Sequence, residues 1–99
     1  MIKKKTDIHL RPSRKDMMML EVLYSSKKFN ELETEAQKLI QKYPNVAPLL
    51  NILGFAFHKQ GRLKTAAKNY EQAISIDPKF VFAHNNLGNV FKDLGKFDE

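Results

Sequence analysis

The sequence LNILGFAFHKQG at residues 50–61 returns as HNNLGNVFKDLG at residues 84–95. The shift that places Asn51 on Asn85, which we call the repeat step, aligns these two stretches with five identities, two of them glycines. The same step places Pro44 on Pro78. Agreement at a fixed period indicates internal repeats, in which one small structural unit is copied along the chain.

The repeat step divides the chain of 99 residues into a tail and three copies. We expect a basic, disordered tail over residues 1–12, a degenerate copy over 13–46, a complete copy over 47–80 and a truncated half copy over 81–99. In the first copy, Leu20 stands at the position of Gly54, and Lys27 stands at the position of Gly61. A first repeat is often irregular, because one of its faces meets solvent instead of a neighbour.

Two helices are predicted in each copy. In the second copy, one apolar stripe at helical spacing precedes Gly61, and a second stripe follows it. We expect Asn45 to cap the first of these helices, and we expect Gly61 to end it in a left-handed conformation. Asp77 and Pro78 then stop the second helix. Gly54 and the small residues of the second stripe favour a close approach of the two helices.

These residues carry a family resemblance. The second copy resembles the tetratricopeptide repeat, and the third copy resembles its first half. The residues that carry this signature are Leu50, Leu53, Gly54, Phe57, Gly61, Ala66, Tyr70, Ala73, Pro78, Leu87, Gly88, Phe91 and Gly95. The resemblance implies an all-α solenoid, a right-handed superhelical array of antiparallel helix pairs. It also implies a protein–protein interaction module that binds a peptide or partner protein on its concave face.

Within that family, the first helix of each pair lines the concave face. The residues that we expect to contact a partner there are Asn51, Phe55, Asn85, Asn86, Asn89 and Lys92. An asparagine amide offers both a donor and an acceptor, so it can bond a peptide backbone without reading side chains. The alternative is that these residues are solvated helix positions without a ligand.

Residues 84–99, HNNLGNVFKDLGKFDE, suggest a different role. This stretch resembles repeats found beside bacterial glycosyltransferase, sulfotransferase and methyltransferase domains, and those of O-linked N-acetylglucosamine transferase. The alternative function is therefore the N-terminal repeat arm of a larger transferase whose catalytic domain lies beyond this chain.

Composition excludes several function classes. The sequence contains no cysteine, which fits a reducing, cytoplasmic compartment and rules out disulfides and thiolate metal sites. Its three histidines have no ligand partners at helical spacing, and its serines have no base arranged beside them. We therefore expect no enzyme activity, no metal and no cofactor. No apolar run approaches the roughly 18 residues that a membrane span needs.

The net charge of +6 is concentrated at the start of the chain, where residues 1–15 carry +5. Such a tail can contact nucleic acid or anionic lipid through counterion release, or it can be a solvated terminus. The tail has no aromatic residue that could stack on a base, so we do not expect nucleic-acid binding.

The last copy lacks residues that match Ala66, Tyr70 and Ala73. The forward face of the helix that carries Leu87 and Phe91 is therefore expected to have no cover. From this face we predict that the chain is a piece of a longer array and that it self-associates in isolation.

Overall fold

The computed structural model describes residues 11–98, with side chains to residue 96, and shows five helices in sequence. These are α1 (Arg14–Ser25), α2 (Phe29–Lys42), α3 (Ala47–Lys59), α4 (Leu63–Ile76) and α5 (Val81–Asp98). Between residues 11 and 98 there is no strand. The prediction of an all-α helical repeat is confirmed. The predicted tail falls on residues 1–12, of which residues 1–10 lie outside the described residues.

Helix α1 begins with a capping box. The Ser13 hydroxyl accepts a hydrogen bond from the Asp16 backbone N–H at 3.0 Å, and the Asp16 carboxylate accepts one from the Ser13 backbone N–H at 3.1 Å. The reciprocal bonds satisfy two of the donors that a helix start leaves open. This local sequence fixes where the first helix begins.

The start of α3 differs from the expectation. Val46, not Asn45, is the residue that precedes the helix, and its side chain makes no capping bond. Asn45 lies one position too early for its amide to reach the free N–H groups of the first turn. Pro48 lies in that first turn, where its missing N–H costs nothing.

Both tight connections within helix pairs use a left-handed residue. Gly61, between α3 and α4, has φ +80°, as the sequence predicts. Lys27 lies at the matching position between α1 and α2, with φ +59°. Glycine adopts this conformation freely, whereas a side chain at Cβ crowds the following carbonyl. The first copy therefore keeps the turn of the repeat with an unfavourable residue.

Neighbouring helices pack on one another in chain order, and α3 also touches α5. The side chains at the centre of this stack are almost completely buried: Leu20, Leu32, Ala36, Leu49, Ala56, Ala66, Tyr70, Ala73, Ala83 and Val90. Tyr70 lies directly on Gly54, so the small residue makes room for the aromatic ring as well as for the helix backbone.

Helix α5 differs from the predicted third copy. It continues through Gly95 to Asp98, although the repeat predicts a turn at Gly95. Within the described residues no second helix follows it, so nothing draws the chain into the turn that Gly61 makes. Gly88 has open space where its Cβ would lie. Phe91 is 50% exposed, whereas Phe57 at the matching position is 4% exposed.

The signature residues of α5 are less buried than their counterparts in α3. Gly88 is exposed and Phe91 is half-exposed, in agreement with the expectation that the forward face of this helix has no cover. Among the α5 side chains up to residue 96, Ala83 and Val90 are fully buried and pack against the preceding helices. Leu87, which lies between Ala83 and Val90 in the sequence, is half-buried.

Candidate functional site

Three helices meet at Phe55. Its ring centroid lies 4.7 Å from that of Tyr24 on α1 and 5.9 Å from that of Phe29 on α2. The Lys59 ammonium lies 5.3 Å from the Phe55 centroid, at a distance suited to a cation–π contact. Phe55 is half-buried and Tyr24 is 50% exposed, so this aromatic cluster presents apolar surface to solvent.

A second contact joins α3 to α5. The Asn86 side-chain amide donates a hydrogen bond to the Asn51 side-chain oxygen at 3.0 Å, and both residues are half-buried. Asn51 lies one helical turn before Phe55, on the same side of α3. The asparagine pair and the aromatic cluster therefore lie side by side on a surface to which α1, α3 and α5 contribute. We call this surface the odd-helix face.

A small cavity opens between α1 and α3 beside the aromatic cluster. It has a volume of about 210 Å³ and is lined by Met17, Leu20, Glu21, Tyr24 and Ile52. Four of these side chains offer mainly apolar surface, and Glu21 places one charge at the edge. Concave, mostly apolar sites with few polar groups are typical of ligand binding.

The far end of α3 is linked to α5 by His58 and Asp93. The His58 Nε2 atom lies 2.7 Å from the Asp93 carboxylate, which is also 3.9 Å from the Lys96 ammonium. The hydrogen bond with His58 lowers the pKa of the Asp93 carboxyl below its usual value, and the charges of His58, Lys96 and Lys92 lower it further. This end of the odd-helix face carries more positive than negative side chains, because Lys59, Lys92 and Lys96 all lie near Asp93.

The predicted partner-binding residues fall into two groups. Asn51, Phe55 and Asn86 are half-buried and make the contacts described above. Asn85, Asn89 and Lys92 are exposed on α5. A role in binding a partner stays a prediction for all six residues.

The predicted partner-binding set contains no residue of α1. One repeat step back from Asn51, Phe55 and His58 reaches Met17, Glu21 and Tyr24. All three line the cavity next to α3. The repeat step alone therefore indicates that these α1 residues belong to the same surface. They are difficult to recognise because the core positions of the first copy depart from the repeat pattern.

Residues 11–98 contain neither a membrane-spanning helix nor a metal-binding cluster of side chains. In this part of the chain, no helix combines the length and the hydropathy needed to cross a bilayer. In the same residues, no three or more His, Asp or Glu side chains gather closely enough to hold a metal ion.

Comparison with known proteins finds a family match over part of this chain. Residues 53–95 match the family model of the TPR repeat, from the middle of α3 to near the end of α5. The chain is 30% identical over 82 residues to the uncharacterized protein ycf37 of Pyropia yezoensis, a match that covers 74% of this chain and 46% of that protein.

A second relative has the same description. The chain is 40% identical over 48 residues to ycf37 of Porphyra purpurea, covering 48% of this chain and 28% of that protein. The chain thus spans less than half the length of these relatives. The helix pairs, the Gly54–Tyr70 contact and the family match agree that residues 53–95 are similar to the tetratricopeptide repeat.

Proposed function

We propose that the chain is a protein-interaction module that binds an extended peptide segment of a partner protein on the odd-helix face. The observation that supports this most is the pairing of Tyr24 with Phe55 next to the pairing of Asn51 with Asn86. The first pair offers apolar surface and the second offers amide groups. A peptide needs both, because its side chains are partly apolar and its backbone must be hydrogen-bonded.

The apolar part of the site suits one bulky side chain of the partner. The cavity of about 210 Å³ beside Tyr24 has apolar walls and opens next to Phe55. Interfaces gain most of their affinity from a few such anchors in desolvated pockets. A leucine, methionine or aromatic side chain of the peptide fits this description.

The polar part of the site suits the peptide backbone. The bond between Asn86 and Asn51 uses one N–H of Asn86 and one lone pair of Asn51. Each amide has a further donor and acceptor for a ligand. The neighbouring Asn89 is exposed and lies one turn along α5, so it extends the same row.

Charge gives the site a further preference. Lys59, Lys92 and Lys96 lie at one end of the odd-helix face with Asp93. Positive surface attracts complementary segments and discriminates against basic ones. We therefore propose a peptide that has acidic residues next to its apolar anchor.

Selection of peptides from a displayed random library tests this function. We expect the chain to enrich peptides that combine a bulky apolar residue with acidic neighbours. For one selected peptide, Tyr24→Ala should raise Kd about tenfold, as expected when an apolar anchor loses roughly 1.4 kcal/mol of contact. Gln72→Ala, at an exposed position of α4, is the control and should leave Kd unchanged.

The proposal fails if Tyr24→Ala binds the selected peptides as tightly as the parent while circular dichroism shows that both are folded. It also fails if the selected peptides carry no shared apolar or acidic feature. The transferase-arm alternative and the cytoplasmic location stay predictions of the sequence.

A further inference from the structure

The outer side of α1 exposes large apolar side chains. Met18, Met19 and Val22 are 57%, 50% and 61% exposed. By the repeat step, Val22 matches Ala56 on α3 and Val90 on α5, and both of these are 0% exposed. In α3 and α5 this side is covered by a preceding helix, whereas among residues 11–98 nothing covers it in α1. We call this side of α1, with the adjoining groove, the α1 outer face.

A groove runs along this face between α1 and α2. Two adjoining cavities of about 530 Å³ and 210 Å³ form it. Its apolar floor consists of Met19, Leu20, Val22, Leu23 and Leu39. An apolar strip and a groove of this size are more than the scattered exposed apolar residues that every protein surface carries.

The two ends of the groove carry opposite charge. Glu31 and Glu35 line the end near the α1–α2 turn. Lys38 and Lys42 line the other end, where the Asp16 carboxylate is already bonded in the α1 cap. The Lys38 ammonium is 3.3 Å from Glu35, which leaves Glu31 and Lys42 as the exposed charges farthest apart along the groove.

This arrangement is complementary to itself. A two-fold axis through the middle of the groove reverses its direction, so the acidic end of one copy meets the basic end of the other. The same axis brings the apolar strips of the two copies together, and methionine side chains adapt readily to such a contact. We propose that the α1 outer face is the interface of a homodimer, with Met18, Met19 and Val22 at its centre and Glu31 opposite Lys42 of the second copy.

The dimer leaves the odd-helix face open. Tyr24 and Glu21 line the cavity toward α3, on a different side of α1 from Val22. The proposed interface and the proposed peptide site share only Leu20, which is 1% exposed and lies beneath both. The proposed dimer therefore does not depend on whether the chain binds a peptide.

Sedimentation equilibrium of the full chain tests the proposal. We expect a reversible monomer–dimer equilibrium. Val22→Glu should raise the dimer dissociation constant about a hundredfold or more, because each copy would bury an unpaired carboxylate. Val81→Glu is the matched control, since Val81 is 63% exposed at the start of α5, and its dissociation constant should stay at the parent value.

Charge reversal provides a second test that does not touch the apolar strip. Glu31→Lys and Lys42→Glu should each raise the dissociation constant about tenfold, because like charges then face each other across the two-fold axis. The double variant should return close to the parent value. Added salt should weaken the parent dimer and strengthen both single variants.

Several outcomes would overturn the proposal. The full chain could be monomeric at all concentrations, or it could dimerise only after deletion of residues 1–10, in which case those residues occupy the groove. The charge-reversed variants could dimerise as the parent does. Dimers that survive Val22→Glu but are lost in Phe91→Glu would place the interface on α5, as the sequence predicts for self-association.

Discussion

Gly54 lies so close to the ring of Tyr70 that a Cβ atom added to Gly54 would be 2.7 Å from the Tyr70 Cε1 atom. Tyr70 is 0% exposed, so its ring cannot move aside without disturbing the core. We expect Gly54→Ala to lower the free energy of unfolding by about 1–3 kcal/mol, as overpacked cores do. Thermal or urea unfolding followed by circular dichroism measures this.

Gly88→Ala is the matched control. Gly88 occupies the same repeat position on α5, but its Cβ would meet no atom within 4 Å. Alanine is favoured over glycine in a helix by roughly 0.5–1 kcal/mol, so this change should stabilise the chain. Equal effects of the two substitutions would contradict the close packing at Gly54.

The hydroxyl of Tyr70 leads to a second prediction. Its oxygen is buried and has no hydrogen-bond partner among the described residues, and burial raises the pKa of Tyr70. An unpaired buried hydroxyl costs about 1–3 kcal/mol. We expect Tyr70→Phe to keep or raise the free energy of unfolding, whereas Tyr70→Leu should lower it because the ring is lost. If Tyr70→Phe lowered the free energy of unfolding by about 1 kcal/mol or more, the hydroxyl would have a hydrogen-bond partner and this prediction would be wrong.

The left-handed turn at Lys27 offers a stabilising substitution. Lys27 has φ +59°, whereas the matching turn of the second copy has Gly61. We expect Lys27→Gly to raise the free energy of unfolding by about 1 kcal/mol, and Gly61→Ala to lower it by about 1–2 kcal/mol. Lys28, one position away, does not have a left-handed conformation, since its φ is −93°. Lys28→Gly is therefore the control and should not raise the free energy of unfolding. A destabilised Lys27→Gly variant would argue against the turn.

Acid should loosen the link between α5 and α3. The pKa of Asp93 is lowered from 3.8, chiefly by the hydrogen bond with His58. A carboxyl group whose pKa is lowered in the folded state stabilises the fold through its ionised form. This contribution to stability is present above the unfolded pKa and is lost as the pH falls through the folded pKa. We expect an NMR titration of Asp93 to show a midpoint below 3.8, and His58→Ala to move it upward. An unchanged midpoint in His58→Ala would contradict the bond.

Two of the asparagines of α5, Asn86 and Asn89, should differ in their contribution to the free energy of unfolding. Asn86 bonds Asn51, whereas Asn89 is exposed. We expect Asn86→Ala to lower the free energy of unfolding by roughly 0.5–1.5 kcal/mol, because Asn51 loses its partner. Asn89→Ala should leave stability unchanged. Chemical unfolding of the two variants side by side measures the difference, and equal stabilities would contradict the interhelical bond.

The period and its glycines predict most of the fold. Gly54 and Gly61 act through short-range geometry, a close helix contact and a left-handed turn, and such features are visible in a sequence. The end of α5 is different, because a turn at Gly95 requires a further helix against which α5 can pack. The helix start at Val46 also differs from the expectation, since the position of a cap is set by backbone geometry that residue preference alone does not determine.

The candidate site was predictable only where the repeat is regular. Phe55 and Asn51 follow from the second copy, which keeps the pattern of the family. Tyr24 does not, because Leu20 and Lys27 disrupt that pattern around it. The bond between Asn51 and Asn86 is a contact between residues that lie in neighbouring repeats. Its existence depends on the angle between α3 and α5, which no residue type specifies.

The chain-order packing of the helices determines how the molecule should come apart. Helix α1 contacts chiefly α2, whereas α3 is held by α2, α4 and α5. A stack of this kind opens locally from its ends, and its amide hydrogens report on that opening. Exchange with deuterium should therefore be fastest in α1 and in the last turns of α5, and slowest in α3 and α4. The free energy of local opening should therefore be highest in the middle of the stack and should fall toward α1 and toward the end of α5.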